Sequence, residues 1–95
     1  MRRIEIHYRK KADKFLVKNR DKLTKEEVDG FVIKAIKKIY GDEDVNIDLK
    51  RMETMAHHFR IRKGNIRIVF SINDMDEVIV SIVDTIGYRG DIYKH

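Results

Sequence analysis

Between Phe59 and Phe70 the chain alternates too regularly to fit anything but strand. Phe59 and Ile61 alternate with Arg60 and Arg62, and Ile66, Ile68 and Phe70 flank Arg67, the period of two strands with one buried face. Gly64-Asn65 between the runs suits a two-residue hairpin turn with glycine at its first central position, where φ is positive. Such a turn sets the register. Lys63 faces Ile66, Arg62 faces Arg67, Ile61 faces Ile68, Arg60 faces Val69, Phe59 faces Phe70 and His58 faces Ser71. One face of the hairpin is then apolar and the other carries Arg60, Arg62 and Arg67. Like charges directly opposite one another cost roughly 0.2–1 kcal/mol, so Arg62 across from Arg67 points to an anion on that face.

A chain of 95 residues can bury one modest core but not two, so a single domain spanning 1–95 is expected. Cysteine is absent, which excludes disulfides and thiolate metal sites. No early apolar run resembles a signal peptide, and none approaches the roughly 18 residues of a membrane span. The expectation is a soluble, cytoplasmic protein with no membrane partner. Charged residues make up 39% of the chain and the formal net charge is +5, which favours an acidic partner such as nucleic acid.

Arg3 to Tyr8 alternates and opens the sheet as a short strand. Lys10 to Lys18 carries Ala12, Phe15 and Leu16 near helical spacing, and Asn19-Arg20-Asp21 breaks it. Thr24 with Glu27 three residues later is a capping-box signature, and Val28, Phe31, Val32, Ala35, Ile36 and Ile39 form the stripe of the helix it starts. Gly41 is placed to end that helix in the left-handed conformation. A loop is expected from residue 42 to about Thr54, with Ile47 and Leu49 tucked into the core edge and Lys50 and Arg51 exposed. After the hairpin, Asn73-Asp74-Met75-Asp76 reads as a turn. Glu77 to Ile86 is apolar on both faces and is expected to be the central, doubly covered strand, with a polar tail after Gly87. The order β-α-α-β-β-β predicts an α+β domain, an antiparallel sheet with two N-terminal helices packed on one face.

If the helices cover Phe59, Ile61, Ile68 and Phe70, the three arginines project from the opposite face. His58 stands in line with them, and the tail residues Arg89 and Tyr93 can approach. Guanidinium groups suit a phosphate because each offers a planar fork of donors and holds its charge at any biological pH. Together with an aromatic ring for a base to stack on and an imidazole, they supply the parts for metal-independent RNA cleavage. That reaction needs a base for the 2′-hydroxyl, an acid for the leaving 5′-oxygen and positive charge for the phosphorane. His57 and His58 are adjacent, so in a strand only one can serve this face. The spacing of His7, His57, His58 and His95 matches no metal motif, so no metal or cofactor is expected.

The hairpin run, preceded by Ile47-Asp48-Leu49-Lys50 and followed by Ile86-Gly87-Tyr88-Arg89-Gly90-Asp91-Ile92-Tyr93, resembles the RelE/ParE superfamily of type II toxins. The Gly-x-Arg-x-x-x-Tyr ending is more similar to the RelE branch than to the gyrase-poisoning ParE branch. The resemblance implies an mRNA interferase, a ribosome-dependent endoribonuclease that cuts messenger RNA in the A site and is held inactive by a cognate RelB-like antitoxin. It also implies roles. Arg60 and Arg62 stand where relatives often carry lysines, Arg67 stands at the arginine that holds the phosphate, Arg89 near the general acid, and Tyr93 at the stacking tyrosine. A guanidinium cannot readily serve as a general base, so His58 is the candidate base, with Glu53 as the alternative. Two other readings stay open, a ParE-like topoisomerase inhibitor and a catalytically silent relative acting as corepressor with its antitoxin.

Overall fold

The alternation of Ile4 and Ile6 with Glu5 and His7 forms β1 (Arg3–Tyr8), the first element of a computed structural model that describes residues 2–41 and 44–90. Two helices follow. In α1 (Lys10–Lys18) the buried residues are Ala12 and Leu16. The expected capping box opens α2 (Lys25–Ile39). The Glu27 amide donates to Thr24 Oγ1 at 3.2 Å and the Thr24 amide donates to Glu27 Oε1 at 3.1 Å, satisfying two donors a helix start leaves open. The Thr24 amide, with help from Lys63, holds the Glu27 carboxyl below its ordinary pKa. Gly41, just past the helix, takes φ 99°.

Where the sequence predicts only loop, Leu49–Arg51 forms a short strand, β2. Its three residues are too few to display a period, and pairing with the next strand makes it one. The hairpin strands β3 (His58–Lys63) and β4 (Ile66–Met75) pair in the expected register. Gly64 has φ 56°, as the turn requires. Strand β4 then runs through Asn73, Asp74 and Met75, which the sequence assigns to a turn, because these residues pair with Val80, Ile79 and Val78 of β5 (Val78–Tyr88). The turn is Asp76-Glu77 instead.

The sheet order is β1-β5-β4-β3-β2, with β1 parallel to β5 and every other pair antiparallel. The middle strand is therefore β4, not β5 as expected, and Ile66 through Phe70 are buried without interruption. Strand β5 is interior but lies one place nearer the edge, and its Val78, Val80 and Ile82 are only half-buried. The fold class is the expected α+β arrangement, with one short strand added and with β1 parallel to β5 where a wholly antiparallel sheet is expected.

Both helices lie on the face carrying Ile61, Ile68, Phe70, Ile79, Val83 and Ile86, which form one core with Ala12, Leu16, Val28, Val32, Ala35 and Ile36. Each large side chain fully buried there contributes about 1.5–3 kcal/mol. Phe70 also stacks on Phe59 across the hairpin, with centroids 5.9 Å apart. Polar contacts tie the helices down at their ends. Tyr88 donates to Asn19 Oδ1 at 2.7 Å and Tyr8 donates to Asp29 Oδ1 at 2.5 Å; burial and then that carboxylate push the Tyr8 phenol up. Among the described residues no helix is long and apolar enough to cross a membrane.

Candidate nucleic-acid interface

Side chains alternate across a strand, so the residues between the core positions stand on the helix-free face. They fall into rows across the sheet. Arg62 faces Arg67, which faces Gly87; Lys50 faces Arg60, which faces Val69; His58 faces Ser71, which faces Ile82. Successive rows are about 7 Å apart, two residues of strand. The Arg62/Arg67 row adjoins the hairpin turn. Arg89 is beside it too, since its amide donates to the Asn65 carbonyl at 2.6 Å, and its side chain is exposed. Arg60, Arg62, Arg67 and His58 thus share one face as the alternation predicts, but His58 lies four residues from Arg62, about 13–14 Å along the strand. Tyr93 lies outside the described residues.

The guanidinium groups are held in different ways. Arg67 is only 6% exposed, and its Nη1 donates to the carbonyls of Gly64 at 2.7 Å and Ile66 at 3.1 Å. This folds the side chain back on its own turn. Arg62 Nε donates to Asp48 Oδ2 at 2.5 Å, and the Arg62 amide donates to the Asp48 carbonyl at 3.0 Å. The other oxygen of Asp48 is 4.0 Å from Arg60 Nη2. Asp48 is therefore a carboxylate seated between two arginines, where an external anion would compete with it. Arg60 has an 18% exposed side chain, and its buried Nε has no hydrogen-bond partner among the described residues.

A second cluster forms around a β-bulge. Val69 pairs with Thr85 and Phe70 with Val83, so Asp84 has no residue opposite it. Freed from the ladder, its carboxylate accepts from Arg9 Nε and meets His58 Nε2 at 2.6 Å. The other ring nitrogen, Nδ1, is 2.8 Å from the Ala56 carbonyl. Both partners of the ring are acceptors, so only the doubly protonated imidazole satisfies both contacts. The two side chains are mostly buried, His58 at 21% and Asp84 at 14% exposed. His57 is exposed with φ 61°, left-handed backbone that a non-glycine residue rarely adopts. Glu53 lies in the loop after β2.

Lys50, Asp48, Asp84 and Arg9 join this face without having been singled out as site residues from sequence. The alternation of Ile47, Asp48, Leu49 and Lys50 was the available signal for the first pair. Nothing local marks Asp84, whose exposure to His58 depends on the bulge. Lys50, Arg51, Met52, Glu53 and Arg60 line a pocket of about 180 Å³ at the β2 edge. Among the described residues no three His, Cys, Asp or Glu side chains gather as a metal site would require.

No protein-family model matches the chain, and no curated protein matches it. Among solved structures, the fold is similar to a chain of the RelB–RelE antitoxin–toxin complex from Methanococcus jannaschii. The TM-score is 0.54 at 19% identity, covering 92% of this chain and 94% of that one. A chain of the archaeal RelE–RelB complex from Pyrococcus horikoshii OT3 aligns with a TM-score of 0.46 at 26% identity, covering 95% and 97%. With two helices on one face of a five-stranded, mostly antiparallel sheet, the chain has a RelE-like fold, that of the M. jannaschii structure.

Proposed function

We propose that the chain is the toxin of a type II toxin–antitoxin pair, an endoribonuclease that cuts messenger RNA in the ribosomal A site and is neutralised by a RelB-like antitoxin. The observation that carries this reading is the stack of like-charged pairs, Lys50 with Arg60 and Arg62 with Arg67, on the helix-free face of a RelE-like fold. Each pair costs stability, and the cost is offset when a phosphate lies between the charges. The 2′-hydroxyl attacks the adjacent phosphorus as a base takes its proton. The bond to the 5′-oxygen breaks as an acid protonates it, leaving a 2′,3′-cyclic phosphate. Arg67, with Nη1 held on the Gly64 and Ile66 carbonyls, is oriented to turn the rest of its guanidinium toward the phosphorane. Arg62 adds charge beside it and Arg60 adds charge from the next row along β3, Arg89 at the hairpin turn is the acid, and Tyr93 stacks on the nucleotide. His58, pinned by Asp84 and the Ala56 carbonyl two rows along β3 from Arg62 and Arg67, reaches the 2′-hydroxyl as the base only after its ring is released from both and swings toward the hairpin turn.

Inducible expression with mapping of messenger RNA 5′ ends tests this reading. New ends inside translated codons, absent from Arg67→Ala/Tyr93→Phe, are expected; intact messages in growing cells that contain folded protein would overturn it. A binding-only toxin of the ParE type gains support from the protein acceptors that Arg62 and Arg67 already have. Growth arrest without new ends, with inhibited gyrase supercoiling, would select it.

A further inference from the structure

We infer that Lys50 and Arg60 form a second phosphate site, one strand row away from the cleavage centre, which takes a flanking phosphodiester of single-stranded RNA; RNA as the ligand rests on the function proposed above. Lys50 and Arg60 are direct cross-strand partners on the helix-free face. A like-charged pair at that distance is unfavourable unless an anion lies between. Both line the pocket at the β2 edge, where three cations, Lys50, Arg51 and Arg60, meet one carboxylate, Glu53. No hydrogen bond or ion pair joins Glu53 to any of the three, so the lining keeps its positive charge.

Arg60 Nε makes the case specific. It is buried and, among the described residues, unpartnered, and a buried donor left unsatisfied costs about 1–3 kcal/mol. Its neighbour Asp48 is committed to Arg62 Nε and reaches Arg60 only at 4.0 Å. A phosphate in the pocket that Arg60 lines would draw the side chain outward and give the buried Nε the acceptor it lacks. The row spacing gives the ligand its form. Lys50/Arg60 and Arg62/Arg67 are about 7 Å apart, a step that suits consecutive phosphates of an extended single strand. The RNA backbone therefore runs along β3, from the hairpin turn toward the β2 edge.

Binding of a 2′-O-methyl pentanucleotide, which cannot be cleaved, tests the site by its salt dependence. Losing one phosphate contact lowers the slope of log affinity against log salt by about 0.7, which is about fivefold in affinity at 0.1 M salt. That loss is expected for Lys50→Gln and not for Lys37→Gln, an equal charge change on the helix layer. Equal slopes for wild type and Lys50→Gln, with the oligonucleotide bound, would overturn the second site and leave the cleavage reading intact. Titration with inorganic phosphate, followed by NMR at the Arg60 Nε–H, separates the failures. A shift there in a chain that cuts no RNA supports the anion site against the proposed function, and no shift overturns the site.

Discussion

Replacing Arg67 with alanine removes a phosphate donor and also the brace on its own turn. Loss of one oxyanion donor raises the barrier by about 2.7–4 kcal/mol, a factor of about 10²–10³ in cleavage. The lost bonds to Gly64 and Ile66 cost about 1–3 kcal/mol of stability. Urea unfolding beside a cleavage assay separates these effects, and a folded Arg67→Ala with full activity refutes the assignment. Asp48→Asn acts in the opposite sense. It removes a partly exposed ion pair worth about 0.2–1 kcal/mol and frees Arg62 for phosphate, so oligonucleotide affinity rises by up to about fivefold in equilibrium titration. For His58 the discriminating pair is His58→Ala against His57→Ala, since only the former stands on the arginine face. Loss of cleavage in His58→Ala alone is expected, and equal activity of the two removes the base assignment. The co-facial arginines were legible because a two-residue period and a turn dictate them. The acceptors of Arg62 and His58 were not, because Asp48 and Asp84 are distant in sequence.

At the scale of elements, α2 shows how much local chemistry can announce. The capping box satisfies two backbone donors with side chains three residues apart, so it is visible in any stretch of four letters. Thr24→Ala removes one of these bonds and is expected to lower stability by about 0.5–2 kcal/mol in urea unfolding. Strand β2 is the counterexample. Leu49–Arg51 has no periodicity long enough to read, and its extended form depends on β3 being alongside. Residue type misled in the other direction at Asn73-Asp74-Met75, where turn-forming residues are held in strand by the ladder to β5. Pairing with a neighbour overrode local preference in both places.

Across the whole molecule, the sheet edge and the helix layer are clamped by Arg2, Tyr40 and Asp74. Arg2 pairs with Asp74 at 2.5 Å and lies over the Tyr40 ring, whose hydroxyl donates to Asp74 at 2.9 Å. The Arg2 guanidinium, with the Tyr40 hydroxyl and the Asp76 amide, pulls the Asp74 carboxyl down to about 2. An unfolded aspartate titrates near about 3.9. Because the folded value is the lower one, the contribution is present in full above about pH 4 and disappears as pH falls toward 2. Thermal unfolding of wild type and Asp74→Asn therefore converges over that window. If the two differ as much at pH 2 as at pH 6, the clamp is not what Asp74 contributes.

Alternation, the glycine turn and the capping box by themselves determined the hairpin register, both helices, the α+β class and the sharing of one face by Arg60, Arg62, Arg67 and His58. These are consequences of backbone period and of contacts between near neighbours in the chain. Only the tertiary structure decided that β4 is the middle strand, that Asp84 leaves the ladder to hold His58, that Asp48 sits between two arginines and that Arg60 Nε is left without a partner among the described residues. Each depends on which strands lie side by side and on one bulge in their pairing, and no periodicity along a single segment encodes either.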